Sequence, residues 1–205
     1  MRGKFIVFEG LDGCGKTTQA KLLKEALSAR GIAAEFTVEP TENETGKLIR
    51  RILSGEVKAT PHELAALFVA DRIGHNTRVG GIEDMLEQGI NVICDRYYYS
   101  SLAYQALDSE PSWVYSANLS CPYIRKPDLC IFLEAATEVC LDRIHMGREA
   151  SQLEIFENAE SLNSIRQRFY KVFEDLPSDA VLKIDADKEI SQLSKIILDA
   201  VIEKL

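Results

Sequence analysis

The amino-acid sequence predicts a doubly wound α/β fold, in which about five parallel strands form a sheet with helices on both faces. Short apolar runs alternate with segments of helical spacing along the 205 residues, the pattern of βαβ units. The apolar runs are nearly continuous, as in strands covered on both faces. No repeat, low-complexity tract or linker interrupts this alternation, so we expect a single domain over residues 1–205.

Each apolar run and each periodic segment predicts one element. The predicted strands are Lys4–Glu9, Ala33–Val38, Ile90–Cys94, Leu129–Leu133 and Val181–Ile184. The predicted helices are Lys16–Arg30, Thr45–Leu53, Pro61–Gln88, a helix that begins at Thr137, and Ile190–Leu205. Gly31 is expected to end the first helix, and Gly80-Gly81 to break the third.

Composition and charge restrict the function. The net charge of -8 argues against binding a nucleic-acid polymer, which requires a dominant basic surface. No run of eighteen apolar residues predicts a membrane span, and the N-terminus lacks the apolar stretch of a signal peptide. The five cysteines lack metal-ligand spacing, and we expect reduced thiols in a cytoplasmic protein.

A glycine-rich turn between the first strand and the first helix matches G-x-x-x-x-G-K-[ST]. Its glycines let backbone N–H groups point at phosphate oxygens, and the positive end of the following helix dipole faces the anion. Lys16 is expected to reach the β- and γ-phosphates, and the Thr17 hydroxyl to ligate Mg²⁺. A chance match is the alternative, but the strand–turn–helix context favours a nucleotide site. The candidate nucleotide-binding residues are Gly10, Leu11, Asp12, Gly13, Cys14, Gly15, Lys16, Thr17 and Thr18.

A second polar pair follows the strand Ile90–Cys94. In an open parallel sheet the carboxyl ends of the strands form the ligand-binding edge. Asp95 there can hold Mg²⁺, directly or through water, and Arg96 can grip a phosphate. A surface ion pair is the alternative interpretation.

Four segments, in order along the chain, resemble the thymidylate kinase family. The resemblance covers residue 5 to about 170 and implies a P-loop fold like that of nucleoside-monophosphate kinases. The implied reaction is ATP + dTMP giving ADP + dTDP, with Mg²⁺, in a homodimer. The segments are FEGLDGCGKTT from Phe8, LFVADR from Leu67, DRYYYSSLAYQ from Asp95 and KPDL from Lys126.

The resemblance implies how the acceptor base and sugar are bound. Phe68 would stack on the thymine ring and Arg72 would hydrogen-bond its edge. Ser101 would face the base. Tyr104 would lie under the sugar, where a 2′-hydroxyl would clash. The alternatives are a core aromatic at Phe68, helix packing at Tyr104 and a solvated charge at Arg72.

The resemblance also implies the residues that handle phosphate. Arg50 and Arg96 would hold the monophosphate, and Asp12 would help to place the acceptor and magnesium. Two departures stand out: Thr41–Glu44 replaces the glycine-rich turn of many bacterial members, and Gly13 and Cys14 occupy the P-loop positions where some members have an arginine.

A basic stretch at residues 143–158 resembles the arginine-bearing lid of family members whose P-loop lacks arginine. Arg148 is the expected transition-state donor, and Arg143 is the alternative donor. A solvated basic helix end is the other interpretation. The candidate catalytic residues are Asp12, Lys16, Arg96, Arg143 and Arg148.

Three other functions remain open. One is a related P-loop kinase that acts on a deoxynucleoside or on another pyrimidine monophosphate. Another is a nucleotide-dependent switch, although the N-K-x-D motif of guanine-binding switches is missing from the sequence. The third is an inactive homologue that binds without catalysis, which the presence of Lys16, Thr17, Asp95 and Arg96 argues against.

Overall fold

The computed structural model describes residues 2–147 and 159–205. These residues form a five-stranded sheet in the order β2-β3-β1-β4-β5, and all neighbouring strands are parallel. The predicted fold class is therefore confirmed. The strands are β1 (Phe5–Gly10), β2 (Ala34–Val38), β3 (Asn91–Asp95), β4 (Leu129–Glu134) and β5 (Val181–Asp185).

Helices connect the strands and cover the sheet. None of the described helices is both long enough and apolar enough to span a membrane. The helices are α1 (Lys16–Ser28), α2 (Glu44–Leu53), α3 (Pro61–Thr77), α4 (Ile82–Glu87), α5 (Tyr98–Tyr104), α6 (Pro111–Leu119), α7 (Thr137–Gly147), α8 (Ala159–Asp175) and α9 (Ile190–Ile202).

The core lies on both sides of the central strands. Every residue of β1 and β3 is buried, which explains why both strands are apolar without alternation. Helix α1 packs against α9, and α5 packs against α8. Phe8 pairs with Asp95, and Gly10 with Leu133. The carboxyl ends of β1, β3 and β4 therefore meet at one edge of the sheet.

Local interactions define the start and the end of α3. Thr60 and Glu63 form a reciprocal capping box at its start, and Pro61 occupies the first turn. Gly80, at a φ of 74°, lies in the turn between α3 and α4. The predicted break at Gly80-Gly81 is confirmed.

The sequence patterns did not predict α5, α6 or α8. Helix α5 has the sequence YYSSLAY, whose tyrosines and serines have only moderate helix propensity. Six of its seven residues are buried; tertiary packing therefore stabilises this helix. Helix α8 is longer and amphipathic, with Leu162, Ile165 and Phe169 buried.

Candidate active site

A cavity of about 580 Å³ lies at the edge where the carboxyl ends of the strands meet. The P-loop forms one part of its wall, and α2, α3, α5 and α7 contribute others. Most of the predicted site residues therefore share one cavity. Those on its wall are Asp12, Gly13, Cys14, Gly15, Lys16, Thr17, Thr18, Arg50, Phe68, Arg72, Asp95, Arg96, Tyr104 and Arg143.

The Lys16 side chain folds back onto the P-loop. Lys16 is 6% exposed, and its Nζ donates a hydrogen bond to the carbonyl oxygen of Leu11 at 2.6 Å. The same nitrogen lies 3.9 Å from Cys14 Sγ. An ammonium group has three N–H donors, so Lys16 can keep its bond to the loop and still donate to a phosphate.

Thr17 and Asp95 bring two oxygens together from different elements. The Thr17 hydroxyl donates a hydrogen bond to Asp95 Oδ2; the first residue lies on α1 and the second ends β3. Magnesium prefers oxygen ligands, usually one or two carboxylates supplemented by water and phosphate. This pair fits such an ion. The part of the chain that the structure describes has no group of three or more His, Cys, Asp or Glu side chains that could hold a metal ion.

Asp12, Arg96 and Tyr104 form a charged cluster beside the P-loop. Arg96 Nη2 makes an ion pair with Asp12, and its guanidinium lies 5.2 Å from the centre of the Tyr104 ring. The Tyr104 hydroxyl donates to Asp12 Oδ2 at 3.1 Å. Burial raises the pKa of Asp12, but the charges of Arg96 and Lys16 outweigh it and lower that pKa to about 2. Asp12 is therefore a carboxylate at neutral pH.

Arg72 is buried at the end of the cavity away from the P-loop, not solvated. It is 1% exposed, and its Nε donates to Glu39 Oε2 at 2.8 Å. Its Nη1 donates to Ser101 Oγ at 3.1 Å and to Asn118 Oδ1. The guanidinium lies 5.1 Å from the centre of the Tyr97 ring. Ser101 is thus behind Arg72 and is not among the residues on the cavity wall.

Glu39 receives a second partner, which makes it the centre of a buried network. His75 Nδ1 lies 2.9 Å from Glu39 Oε1, and His75 Nε2 lies 2.7 Å from Thr37 Oγ1. Glu39 is 2% exposed. Because buried charges require partners, the network holds both Glu39 and Arg72 in place.

Phe68 and Gln105 complete the wall near Arg72. Phe68 also packs against a small second core formed by α2 and α3 residues. Gln105 is 7% exposed, and its buried Oε1 has no hydrogen-bond partner among the described residues. A buried unpaired acceptor is unfavourable, so an N–H donor that reaches it would be stabilised.

Arg50 fastens the loop that departs from the family pattern. Its Nη1 donates to the Thr41 carbonyl at 2.8 Å, and its Nη2 to the Pro40 carbonyl at 2.6 Å and to Glu42 at 2.7 Å. Asp71 binds the other side of the loop through the backbone and hydroxyl of Thr41. Arg50 nevertheless lines the cavity, with its side chain 37% exposed.

Helix α7 brings Arg143 to the cavity wall. Gly13 of the P-loop packs directly on this helix, since a Cβ at Gly13 would overlap the Cys140 carbonyl oxygen and lie 3.1 Å from Ile144 Cγ1. Arg148 and most of the predicted lid at residues 143–158 lie outside the described residues.

The opposite end of the cavity was not predicted. The loop between β5 and α9 supplies Ala186, Lys188 and Ile190, and α1 supplies Gln19. Gln19 Nε2 donates to the Ile190 carbonyl at 3.1 Å. This loop joins the carboxyl end of a predicted strand to a predicted helix, and such loops bind ligands in parallel sheets. That position was the signal that could have predicted it.

Glu39, Gln105 and Asn118 were also missed. Glu39 could have been suspected, because it follows a predicted strand and precedes a proline. Gln105 adjoins Tyr104 within the quoted segment. Asn118 gave no sequence signal, since only packing of α6 against α3 brings it to Arg72.

Comparisons with known proteins point to one family. The family model for thymidylate kinase matches residues 8–197. A Methanococcus maripaludis (strain C7) protein named "Probable thymidylate kinase" is 41% identical over 209 residues, which cover 98% of this chain and 96% of the relative. A Leptospira interrogans protein named thymidylate kinase is 36% identical over 190 residues, covering 92% and 89%.

A solved structure shares the fold. It is a thymidylate kinase from Candida albicans, with a TM-score of 0.79 and 24% identity over 98% of this chain and 92% of that chain. The family-model match and the identity with full-length relatives carry the assignment. The chain belongs to the thymidylate kinase family of nucleoside-monophosphate kinases.

Proposed function

We propose that this protein transfers the γ-phosphoryl group of ATP to thymidine 5′-monophosphate. A phosphate oxygen of dTMP forms a bond to the γ-phosphorus, and the bond from that phosphorus to the β–γ bridging oxygen breaks. The products are dTDP and ADP. The observation that carries the proposal is the single cavity that joins a P-loop to the wall formed by Phe68, Arg72 and Tyr104.

The phosphate groups would lie between the P-loop and Arg96. Lys16 would donate to the β- and γ-phosphates while its loop bond keeps it in place. Arg96 and Arg50 would hold the acceptor phosphate. Because Asp12 is ionised and paired with Arg96, it would orient that guanidinium rather than take a proton. The acceptor phosphate is already an anion and needs no general base.

Thr17 and Asp95 would hold Mg²⁺, Thr17 directly and Asp95 directly or through water. When bound, the ion would neutralise charge on the phosphate oxygens and align them. The hydrogen bond between the two side chains supports their belonging to one site.

The acceptor base would lie against Phe68 and Arg72. An arginine only donates hydrogen bonds. Nε and Nη1 of Arg72 already donate to Glu39, Ser101 and Asn118, and Nη2 is paired with Glu39 at 2.7 Å. Nη2 carries two N–H groups, so the second of them would meet the base. A donor here favours the carbonyl oxygen of thymine or uracil over the amino group of cytosine. The nucleoside of ATP would then occupy the other end, beside Gln19, Lys188 and Ile190.

A homodimer in the cytoplasm is the proposed state. Trp113 and Leu119 of α6 are 41% and 40% exposed, and Tyr123 just beyond is 61% exposed. If these side chains lie together in one patch, they would favour an interface. The five cysteines are free thiols, which fits a reducing compartment. Sedimentation of the wild type and of Trp113→Glu tests the dimer: the variant is expected to dissociate.

Coupled ADP production against a panel of acceptors tests the function. The panel contains dTMP, dUMP, dCMP, UMP and thymidine, with ATP and Mg²⁺ saturating. The highest kcat/KM is expected with dTMP. One methyl group in an apolar pocket is worth about 10- to 200-fold, so dUMP should follow, with dCMP lower still. Activity with thymidine but not with dTMP would contradict the proposal.

The variant Lys16→Ala tests the role of the P-loop and is expected to have a much lower kcat. Loss of a transition-state donor is worth on the order of 3 kcal/mol, which is about two orders of magnitude in kcat. Circular dichroism and thermal unfolding should resemble the wild type, because Lys16 is the first residue of α1 and alanine is a good helix former. Near-wild-type turnover at saturating ATP would remove the P-loop from the mechanism.

A further inference from the structure

Arg96 has a backbone conformation that non-glycine residues rarely adopt. Its φ is 66°, and no other non-glycine residue in the described ranges 2–147 and 159–205 has a positive φ. In this left-handed region the Cβ of an L-residue crowds the following carbonyl oxygen. The neighbouring structure must therefore stabilise the turn. One contact is the hydrogen bond from the Arg96 N–H to the Phe8 carbonyl at 2.9 Å.

Glu9 supplies the other contacts from the adjacent strand. Its Oε1 accepts hydrogen bonds from the backbone N–H groups of Tyr97, at 2.8 Å, and Ser100, at 3.1 Å. Its Oε2 accepts from the Ser100 hydroxyl at 2.6 Å. Glu9 is 0% exposed. All three of these bonds go to the four residues that follow Arg96, and none goes to the strand ladder.

The guanidinium is connected to the same carboxylate. Arg96 Nη1 donates to Ser100 Oγ at 3.0 Å, and the Ser100 hydroxyl donates in turn to Glu9. Arg96 Nη2 is paired with Asp12. The backbone of Arg96 thus depends on Glu9 through the turn at residues 97–100. The side chain of Arg96 depends on Glu9 through the Ser100 hydroxyl group.

We propose that Glu9 is a positioning residue for the reaction, which holds Arg96 in its left-handed conformation so that the guanidinium faces the acceptor phosphate. This inference rests on the proposed function, because that function gives Arg96 its role. Glu9 is buried below the loop and does not line the cavity; it acts through Arg96. A small displacement of a binding group is enough to matter, since a shift of about 1 Å can lower a rate by about 10²-fold.

A double-mutant cycle tests the proposal. Glu9→Ala is expected to lower kcat/KM for dTMP by about 10²-fold, with KM for ATP little changed. Glu9→Gln keeps an oxygen for the two N–H groups and an amide that can donate to Ser100 Oγ, so most of the activity should return. When Arg96→Ala is already present, Glu9→Ala should lower kcat/KM by less than about threefold further, because the two residues act as one unit.

Additive effects in the cycle would overturn the proposal, because they would mean that Glu9 acts independently of Arg96. If Glu9→Ala does not fold, Ser100→Ala replaces it in the cycle, since it removes the hydroxyl that joins Arg96 to Glu9. A crystal structure of the variant provides a readout without activity. In Glu9→Ala, a residue 96 that keeps its positive φ and its contact with Asp12 would also overturn the proposal. In Ser100→Ala, where Glu9 still accepts from the two backbone N–H groups, an Arg96 guanidinium that keeps its position would overturn it. A wild type inactive with dTMP would instead contradict the proposed function, and the crystal structure would still decide the role of Glu9.

Discussion

We propose that Tyr104 excludes a 2′-hydroxyl group by its ring rather than by its own hydroxyl. The ring lines the cavity and carries the Arg96 guanidinium on one face, while its hydroxyl is bonded to Asp12. The ring therefore has a fixed orientation. Substitution can therefore separate two roles of Tyr104: selectivity for deoxyribose, which depends on the ring, and the placement of Asp12, which depends on the hydroxyl group.

We expect Tyr104→Ala to raise the activity with the ribonucleotide relative to dTMP, because the space under the sugar becomes larger. Tyr104→Phe is the matched control: it keeps the ring and removes the hydroxyl group that bonds to Asp12, so the ratio should stay near that of the wild type. The measurement is the ratio of kcat/KM values for the two acceptors. An unchanged ratio in folded Tyr104→Ala would leave Tyr104 with a packing role only.

The buried Glu9 should make stability depend on pH. Burial raises its pKa from 4.5 to about 7, against the lowering effects of the Ser100 hydrogen bond and the Arg96 charge. The folded protein therefore binds this proton more tightly than the unfolded chain does. The stabilisation is fully present below pH 4.5 and is lost as the pH rises through about 7.

We expect the free energy of unfolding of the wild type, relative to Glu9→Gln, to fall by on the order of 3 kcal/mol between pH 4.5 and 7.5. Urea titrations of both proteins at several pH values measure this difference. Glutamine does not titrate, so other ionisable groups cancel in the comparison. A difference that is constant with pH would show that Glu9 keeps the pKa of an exposed glutamate.

At the scale of elements, α7 and the P-loop form one contact surface. Gly13 has a φ of 80° and lies against Cys140 and Ile144. The conformation and the close approach both favour glycine here. Since α7 carries Arg143, the position of this arginine depends on the packing of the helix against the P-loop.

Arg143 is the lid arginine that lies among the described residues, and it is a candidate for the positive charge that the P-loop lacks. If it contacts the transferring group only in the transition state, Arg143→Ala should lower kcat and kcat/KM together, by about 10³-fold. Binding of dTMP, measured by calorimetry, should change little. Arg148→Ala, assayed alongside, tests the residue that the sequence favoured.

The comparison of these two variants decides the donor. A large fall in kcat for Arg148→Ala alone would return the role to Arg148. Wild-type turnover in both variants would contradict a lid arginine altogether. Arg30→Ala is a suitable control, since Arg30 lies on the surface beyond α1 and donates within that helix end.

At the scale of the whole molecule, the strand order determines where the ligands bind. From β1, strands β2 and β3 lie to one side and β4 and β5 to the other. The order therefore reverses at β1, and ligands bind in the crevice at such a switch point. The P-loop follows β1, Arg96 follows β3, and the loop at Ala186 follows β5. Three parts of the cavity come from one edge.

Ligand binding across this cavity should stabilise the whole fold. A ligand at 100 times its dissociation constant adds about 2.7 kcal/mol, which corresponds to a rise of roughly 5–11 °C in Tm for a protein of this size. Differential scanning fluorimetry with dTMP measures the rise. Phe68→Ala should lose the dTMP effect and keep the ATP effect. Retention of both would place the base elsewhere.

Much of the secondary structure could be predicted from the sequence, because it depends on local patterns. The five strands appear as apolar runs, and their ends moved by one residue at most. The predicted start of α3 at Pro61 is the observed one, and the glycines marked the P-loop. By contrast, α5 has moderate propensity and exists because β1 and α8 cover it.

The sequence by itself determined the strand–helix alternation, the P-loop and the family motifs, because glycine spacing and apolar periodicity act over a few residues. Only the tertiary structure decided that Arg72 is buried with Glu39 and Asn118, and that Glu9 holds the turn after Arg96. Such contacts join residues 33, 46 and 91 positions apart. Their partners are chosen by strand order and helix packing, which no local pattern records.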